Sequence, residues 1–359
     1  MSKNKNASAA HMRGFGYAGA CDDNEFEDWL SEKPMRQQEW EQYLSVLQNG
    51  PRKSEFDPKD MNTPWVHSPF FGRLLAENDL SGDKAELVRE FHENGLIKID
   101  LRETICDGTA EKLIEELAEG YDDPVRIQDA WRSNEKVKQI ALFPKILDTL
   151  ELIYGRDAVP FQTLNFRVGT EQAGHTDTIH FDSLPHRFMC GVWVGLENID
   201  ENNGPLFYYP GSHLLPIYDF FDVGREGSRN PDESSAAYAV YVDFIDQLMS
   251  AHGLQKETLT VEKGEAVIWS ANVIHGGSPI LEEGRSRHSQ VTHYYFKDCR
   301  YFTPLQSNWH KADVLYRDIV NIRTDEVVPN AYLPAPAPTP GPQPIGKRRA
   351  LKVLLGLAQ

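Results

Sequence analysis

VPFQTLNFRVG, residues 159–169, opens a series of short runs rich in β-branched and aromatic residues and bounded by Gly, Pro, Asn or Asp. FMCGVWVGLENI (188–199), GPLFYYPG (204–211), ETLTVEKG (257–264), EAVIWSAN (265–272) and SRHSQVTHYYF (286–296) continue it. Runs of this length and composition are strands, and Asn202-Asn203-Gly204 marks a turn between two of them. Upstream the period is helical. KAELVREFHENG (84–95) reads as an amphipathic helix stopped by Gly95, LIKIDL (96–101) as a strand, and 109–120 and 134–154 as helices. Helices first and strands after predict a mainly β fold with helices flanking one side of the sheet.

Working outward, residues 1–80 form an N-terminal extension, polar and broken by prolines, with a helical stretch at 36–48. Residues 81–304 form the sheet domain. A helical stretch at 232–255 interrupts its strands and reads as an insertion over one mouth of the barrel. Residues 305–359 form a C-terminal segment. It contains the proline-rich APAPTPGPQP (335–344) and a basic, then apolar tail (346–359) suited to weak docking on a partner or a membrane surface.

The 359 residues include 40% hydrophobic and 25% charged side chains, enough to bury a core without disulfide staples. Lys plus Arg is 37 against 54 acids, a net charge of -17, which argues against a nucleic-acid partner. Cys21, Cys106, Cys190 and Cys299 form no CxxC pair. With no apolar signal segment at the start and no membrane-spanning run, the expected compartment is cytoplasmic.

The chemistry concentrates in three places. Two H-x-D pairs, His175-Thr176-Asp177 and His180-Phe181-Asp182, each offer an imidazole and a carboxylate two residues apart, the spacing that aims both side chains to one side of a strand. On a continuous strand the two pairs would face opposite ways, so one of them is the site. His275, in EAVIWSANVIHGGSP (265–279), ends an apolar strand before two glycines that leave room beside a metal. Two histidines and one carboxylate on one face of an octahedron hold iron(II) and leave positions open. Arg287 follows in a strand of its own, with Ser289 on the same face, while Arg285 reads as a turn residue. A fixed guanidinium is what grips the far carboxylate of a dicarboxylate cosubstrate.

LNFRVGTEQAGHTDTIHFDS (164–183), CGVWVGLENIDENNGPLFYYPGSH (190–213) and VIWSANVIHGG (267–277) with RSRHSQVTHYYF (285–296) resemble, in order and spacing, the phytanoyl-CoA dioxygenase family. The resemblance runs from about 88 to 298. It implies a double-stranded β-helix, the jelly-roll or cupin-like core. It selects His175 and Asp177 as ligands beside His275, and leaves His180 and Asp182 around them. It implies that Arg287 and Asn165 hold 2-oxoglutarate and that Trp193 lines the same pocket. The implied activity is iron(II)- and 2-oxoglutarate-dependent oxidation by O2. A small organic metabolite would be hydroxylated at an unactivated C–H bond, releasing succinate and CO2. Asp177 argues for hydroxylation over halogenation, for which relatives carry a small residue there. The alternatives are a cupin-like metal enzyme that uses no 2-oxoglutarate and a non-catalytic jelly-roll binding module. Because histidine ligands must be neutral, activity is expected to fall below the ordinary imidazole pKa of about 6.5.

Overall fold

Alternating side chains on a strand point to opposite faces, so a strand buried on both faces reads as unbroken apolar sequence. Met189–Gly195 and Glu265–Ser270 behave that way. In a computed structural model that describes residues 57–330, apart from 106–107 and 122–124, the strands in chain order are β1 (Leu96–Asp100), β2 (Arg126–Gln128), β3 (Ala158–Phe166), β4 (Asp182–Leu184) and β5 (Met189–Gly195). They continue with β6 (Leu206–Tyr208), β7 (Glu257–Leu259), β8 (Glu265–Ser270), β9 (His275–Gly277), β10 (Ser289–Phe296), β11 (Arg300–Phe302), β12 (Ile319–Asn321) and β13 (Glu326–Val328). β1-β8-β5-β10-β3-β2 form an antiparallel six-stranded sheet, and β7-β6-β9 a three-stranded one. The pairs β11-β4 and β12-β13 stand apart from both.

The larger sheet separates two cores. Val192 and Val194 of β5, Ile268 of β8 and Phe296 of β10 pack with the helices on one face. Those helices are α1 (Phe71–Glu77), α2 (Asp83–Asn94), α3 (Arg102–Ile105), α4 (Thr109–Leu117), α5 (Glu135–Ala141) and α6 (Pro144–Tyr154). Trp193, Val267, Trp269 and Val291, the alternate residues of the same strands, pack with Tyr208 and Leu259 of the smaller sheet. The two sheets therefore face each other across a second core, and the helices cover the outside of the larger one.

Local sequence accounts for the main boundaries. α2 ends at Gly95, whose φ of +73° closes the helix and leads into β1. A Cβ at Gly95 would lie 2.4 Å from the His213 ring, so the position is closed to any larger residue. The helical pattern at 134–154 is two helices: Pro144 is the first residue of α6 and ends the run begun by α5. α7 (Pro231–His252) starts with Asn230 capping the Asp232 N–H and stops at Gly253, φ +65°.

Residues 57–80, assigned by sequence to the N-terminal extension, add Val66, Phe71 and Leu75 to the helix-side core. Ile319 and Ile322, beyond the expected edge at 304, join the same core. The helical stretch at 36–48, Cys21, Cys106, the proline-rich run 335–344 and the tail 346–359 lie outside the described residues. Cys190 and Cys299 are free and buried. Among the described residues, no helix is long and apolar enough to cross a membrane.

Candidate metal centre

His175 and His275 lie one hundred residues apart in sequence, yet their backbones exchange two N–H···O=C bonds, each 3.0 Å. An antiparallel pair of this kind sets both side chains on one side, and the two imidazole centroids are 4.7 Å apart. Asp177 follows two residues after His175, where the chain leaves extended geometry for a single 3₁₀ turn, Asp177–Ile179. That turn corrects the assumption of one continuous strand through both H-x-D pairs. It brings His180 back toward the same cavity and carries Asp182 away, into β4.

His175, Asp177 and His275 are all buried, and one ligand atom from each lies within 4.8 Å of the others. Nε2 of His175 and Nε2 of His275 are both 3.8 Å from Asp177 Oδ1. Each ring is fixed from behind: Nδ1–H donates to the carbonyl of Ala173 (2.9 Å) in one and Val273 (3.0 Å) in the other. That tautomer leaves both Nε2 lone pairs pointing inward. The Gln172 amide, 3.2 Å from His175 Nε2, donates to the same lone pair. Trp269 Nε1 donates to Asp177 Oδ2 at 2.7 Å, so Oδ1 is the oxygen turned toward the imidazoles.

Burial and the neighbouring His275 hold the His175 imidazole down to about 3. It is therefore neutral far below the ordinary range, and the expected loss of activity near 6.5 does not follow from this ligand. For Asp177, burial pushes the carboxyl up, but His275, His293, His175 and the Trp269 N–H outweigh it and leave it below its usual value.

The centre opens into a cavity of about 290 Å³. Trp193 and Arg287 line it, and both are fully buried. Arg287 donates from Nη1 to the Gly204 carbonyl (3.0 Å) and lies 5.5 and 5.6 Å from the ring centroids of Phe166 and Trp193. It has no acidic partner among the described residues, its Nε is buried without a hydrogen bond, and burial alone pulls its pKa down to about 10. Arg285 instead pairs with Asp200 at 2.9 Å, away from the cavity.

Two expected cosubstrate contacts are not brought to the cavity. Asn165 lies on β3 between Leu164 and Phe166, which do line it, so its side chain turns to the other face and donates to Gln290 Oε1 (3.2 Å). Ser289 is buried and its hydroxyl donates to the Arg287 carbonyl (3.3 Å). Asp182 accepts from the Ser183 N–H (2.7 Å) and pairs with His186 (2.8 Å), so it organises the β4 turn. The two glycines after His275 serve a different purpose from the one expected. A Cβ on Gly276 would meet the Gln172 carbonyl and the Phe207 ring at 2.6 Å, and one on Gly277 the Glu171 N at 2.8 Å. Their room is taken by residues 170–172 and Phe207.

Sequence reasoning missed His293 and Trp269. His293 Nε2 is 3.9 Å from Asp177 Oδ2, while its Nδ1–H donates to Gln162 Oε1 at 3.1 Å. The signal was present: 287, 291 and 293 fall on one face by alternation, and all three residues line the cavity. α7 reaches the site through Tyr238, which lines the cavity, and through Tyr241, whose hydroxyl bonds Thr176 Oγ1 at 2.8 Å.

The arrangement defines an antiparallel β protein with a buried His-Asp-His cluster at the mouth of its second core. The family model described as Phytanoyl-CoA dioxygenase (PhyH) matches residues 103–289, more than half of the chain, and the chain belongs to that family. The peroxisomal phytanoyl-CoA dioxygenase of Rattus norvegicus is 25% identical over 244 residues, covering 65% of this chain and 67% of that protein. The phytanoyl-CoA dioxygenase domain-containing protein 1 of Danio rerio is 26% identical over 159 residues, covering 40% and 45%. The chain thus spans between less than half and two thirds of the length of these relatives. Among solved structures, EctD from S. alaskensis with 2-oxoglutarate and 5-hydroxyectoine matches with TM-score 0.48 and 15% identity over 72% of this chain and 89% of that one. The epimerase SnoN from nogalamycin biosynthesis, crystallised with Fe3+ and alpha ketoglutarate, matches with TM-score 0.47 and 18% identity over 61% and 85%.

Proposed function

We propose that this protein is an iron(II)- and 2-oxoglutarate-dependent dioxygenase, with His175, Asp177 and His275 as iron ligands and Arg287 as the anchor for the cosubstrate. On this reading the two facing sheets are the double-stranded β-helix of such enzymes. The residues fit the metal: two Nε2 lone pairs and one carboxylate oxygen converge, each oriented by a partner behind it. When bound, the iron with 2-oxoglutarate and O2 supplies the oxidation of an unactivated C–H bond, with release of succinate and CO2. The substrate is read as a small organic metabolite.

The observation that carries the proposal is Arg287. A buried guanidinium without an acidic partner is costly unless a ligand completes it. The cavity that holds it also holds the metal cluster. A dicarboxylate that chelates the metal with one end meets that need with the other, through a fork of charge-assisted hydrogen bonds. Phe166 and Trp193 flank the guanidinium and keep water from it.

Arg287→Ala tests this. Iron(II) affinity is expected to stay within a few-fold, while 2-oxoglutarate binding, followed by calorimetry, weakens at least roughly tenfold, the loss of a charge-assisted pair. Turnover that survives with unchanged 2-oxoglutarate dependence would remove the cosubstrate assignment and favour a cupin-like enzyme that needs none. Iron-dependent succinate release from the unaltered protein would eliminate a purely binding role.

A further inference from the structure

The cavity contains more positive charge than the proposed metal and cosubstrate use. Among the described residues its lining has one acid, Asp177, and two arginines, Arg287 and Arg126. Asp177 balances Arg287, and a divalent metal balances a dicarboxylate. Arg126 is left over, in a chain whose net charge is -17.

Arg126 is placed there by the sheet. It lies on the edge strand β2, opposite Phe166, and Gln128 lies opposite Leu164. Residues directly opposite on paired strands share a face, and Phe166 and Leu164 both line the cavity. β2 therefore extends the cavity wall outward to a rim, where it presents a guanidinium and an amide. The Arg126 guanidinium makes no ion pair or hydrogen bond with any described residue. Behind the wall, Arg317 stacks over the Phe181 ring at 4.7 Å with its Nε buried and unpartnered, adding to the positive potential. His180, whose backbone N–H donates to the Asp177 carbonyl at 2.9 Å, lines the same cavity as Arg126. The hydrogen-bonding groups Gln162, His180 and Tyr238 also line the cavity.

Resting on the proposed dioxygenase reading, we infer that the substrate is a compact, polar molecule carrying one anionic group, a carboxylate or a phosphate, and that Arg126 at the cavity rim holds it. The size follows from the volume. About 290 Å³ lies at the lower end of the range that takes a drug-sized ligand, and the cosubstrate occupies part of it. Once cosubstrate is bound, Arg287 is neutralised and Arg126 is the cation the substrate meets.

The test titrates acetate and inorganic phosphate, separately, into protein saturated anaerobically with iron(II) and 2-oxoglutarate. Binding is read by calorimetry and by the fluorescence of Trp193 and Trp269 in the cavity wall. One of the two anions is expected to bind, and which one names the group. Arg126→Gln should weaken that binding at least roughly tenfold, with 2-oxoglutarate affinity changed less than about twofold. Arg126 is exposed, so the variant should keep its thermal midpoint. In steady state, small acids or phosphomonoesters should stimulate 2-oxoglutarate consumption where their amides or free alcohols do not. The inference is overturned if neither anion binds to the saturated protein, if Arg126→Gln leaves anion binding unchanged, or if it weakens 2-oxoglutarate equally. Failure of 2-oxoglutarate to bind the unaltered protein would instead overturn the dioxygenase reading. The same titration without cosubstrate, wild type against Arg126→Gln, then decides the rim site by itself.

Discussion

Asp177 can hold a metal with one oxygen only if something holds the other. The Trp269 indole does this, and its ring also packs in the second core. Trp269→Phe keeps most of the ring and deletes the N–H. Metal affinity is expected to fall about 10–100-fold, the usual cost of losing an outer partner of a ligand, with little change in thermal midpoint. Titration of the apo-protein with iron(II) or manganese(II) reads this directly, and unchanged affinity would mean that the indole only packs. Asp177→Ala should abolish metal binding. Asp182→Ala should leave it intact and cost stability, about 1–3 kcal/mol, because it strips the buried β4 turn of its acceptor. At this scale the sequence was informative where chemistry is unusual. A histidine before paired glycines and an arginine just before an apolar run have few structural uses, although Arg287 proves to lie two residues ahead of β10 and not in a strand of its own. Trp269 and His293 were hidden because an aromatic or a histidine in a strand ordinarily belongs to a core, and only the fold brings them to Asp177.

Among the elements, β5 and β8 determine whether that indole has room. Gly191 pairs with Trp269 across the two strands, and a Cβ there would lie 2.3 Å from the indole ring. Gly191→Ala is therefore expected to push Trp269 off Asp177 and weaken metal binding at least as much as Trp269→Phe, with an overpacking cost of about 1–3 kcal/mol. Metal titration and thermal melts of the two single variants and the double variant check this, and additive losses in metal affinity would refute a shared mechanism. The central strands β5 and β8 were legible because both of their faces are buried, which leaves nearly unbroken apolar runs in the sequence. The break between α5 and α6 was legible in principle, since Pro144 cannot continue a helix begun upstream. The β12-β13 hairpin was not: its strands are three residues each and half exposed, so they have no periodicity to read. Asn165, which the resemblance places on 2-oxoglutarate, turns its side chain away from the cavity to Gln290. Its neighbours on β3 line the cavity, and a shift of one residue on a strand reverses the face.

Across the whole molecule, burial leaves several histidines neutral, and that makes stability depend on pH. His213, whose Nε2–H donates to the His92 carbonyl, is pushed down to about 4 by burial first, and His67 well below its ordinary value by burial and by His213. Their ring centroids are 5.4 Å apart, and His67 packs against Phe91 and Tyr154 of the helix-side core. His293 and His175 shift the same way, to about 4 and about 3. For each, the unfolded chain takes up a proton below about 6.5 that the folded chain refuses until the pH nears the lowered value. The stability they contribute is complete above 6.5 and is lost as pH falls toward 4, at about 1.4 kcal/mol per pH unit for each proton. His186 opposes this, since its bond to Asp182 raises it and adds stability at low pH, but it is half exposed and contributes little. Denaturant unfolding of the apo-protein should thus give a flat free energy from pH 8 to 7 and a steep fall from 6.5 to 5, a window above the ordinary carboxylate range. His213→Gln keeps a donor for the His92 carbonyl and removes one titration, so its curve should be shallower. A wild-type curve flat down to pH 5 would mean that these imidazoles accept protons in the folded state, and that the burial assigned to them is wrong.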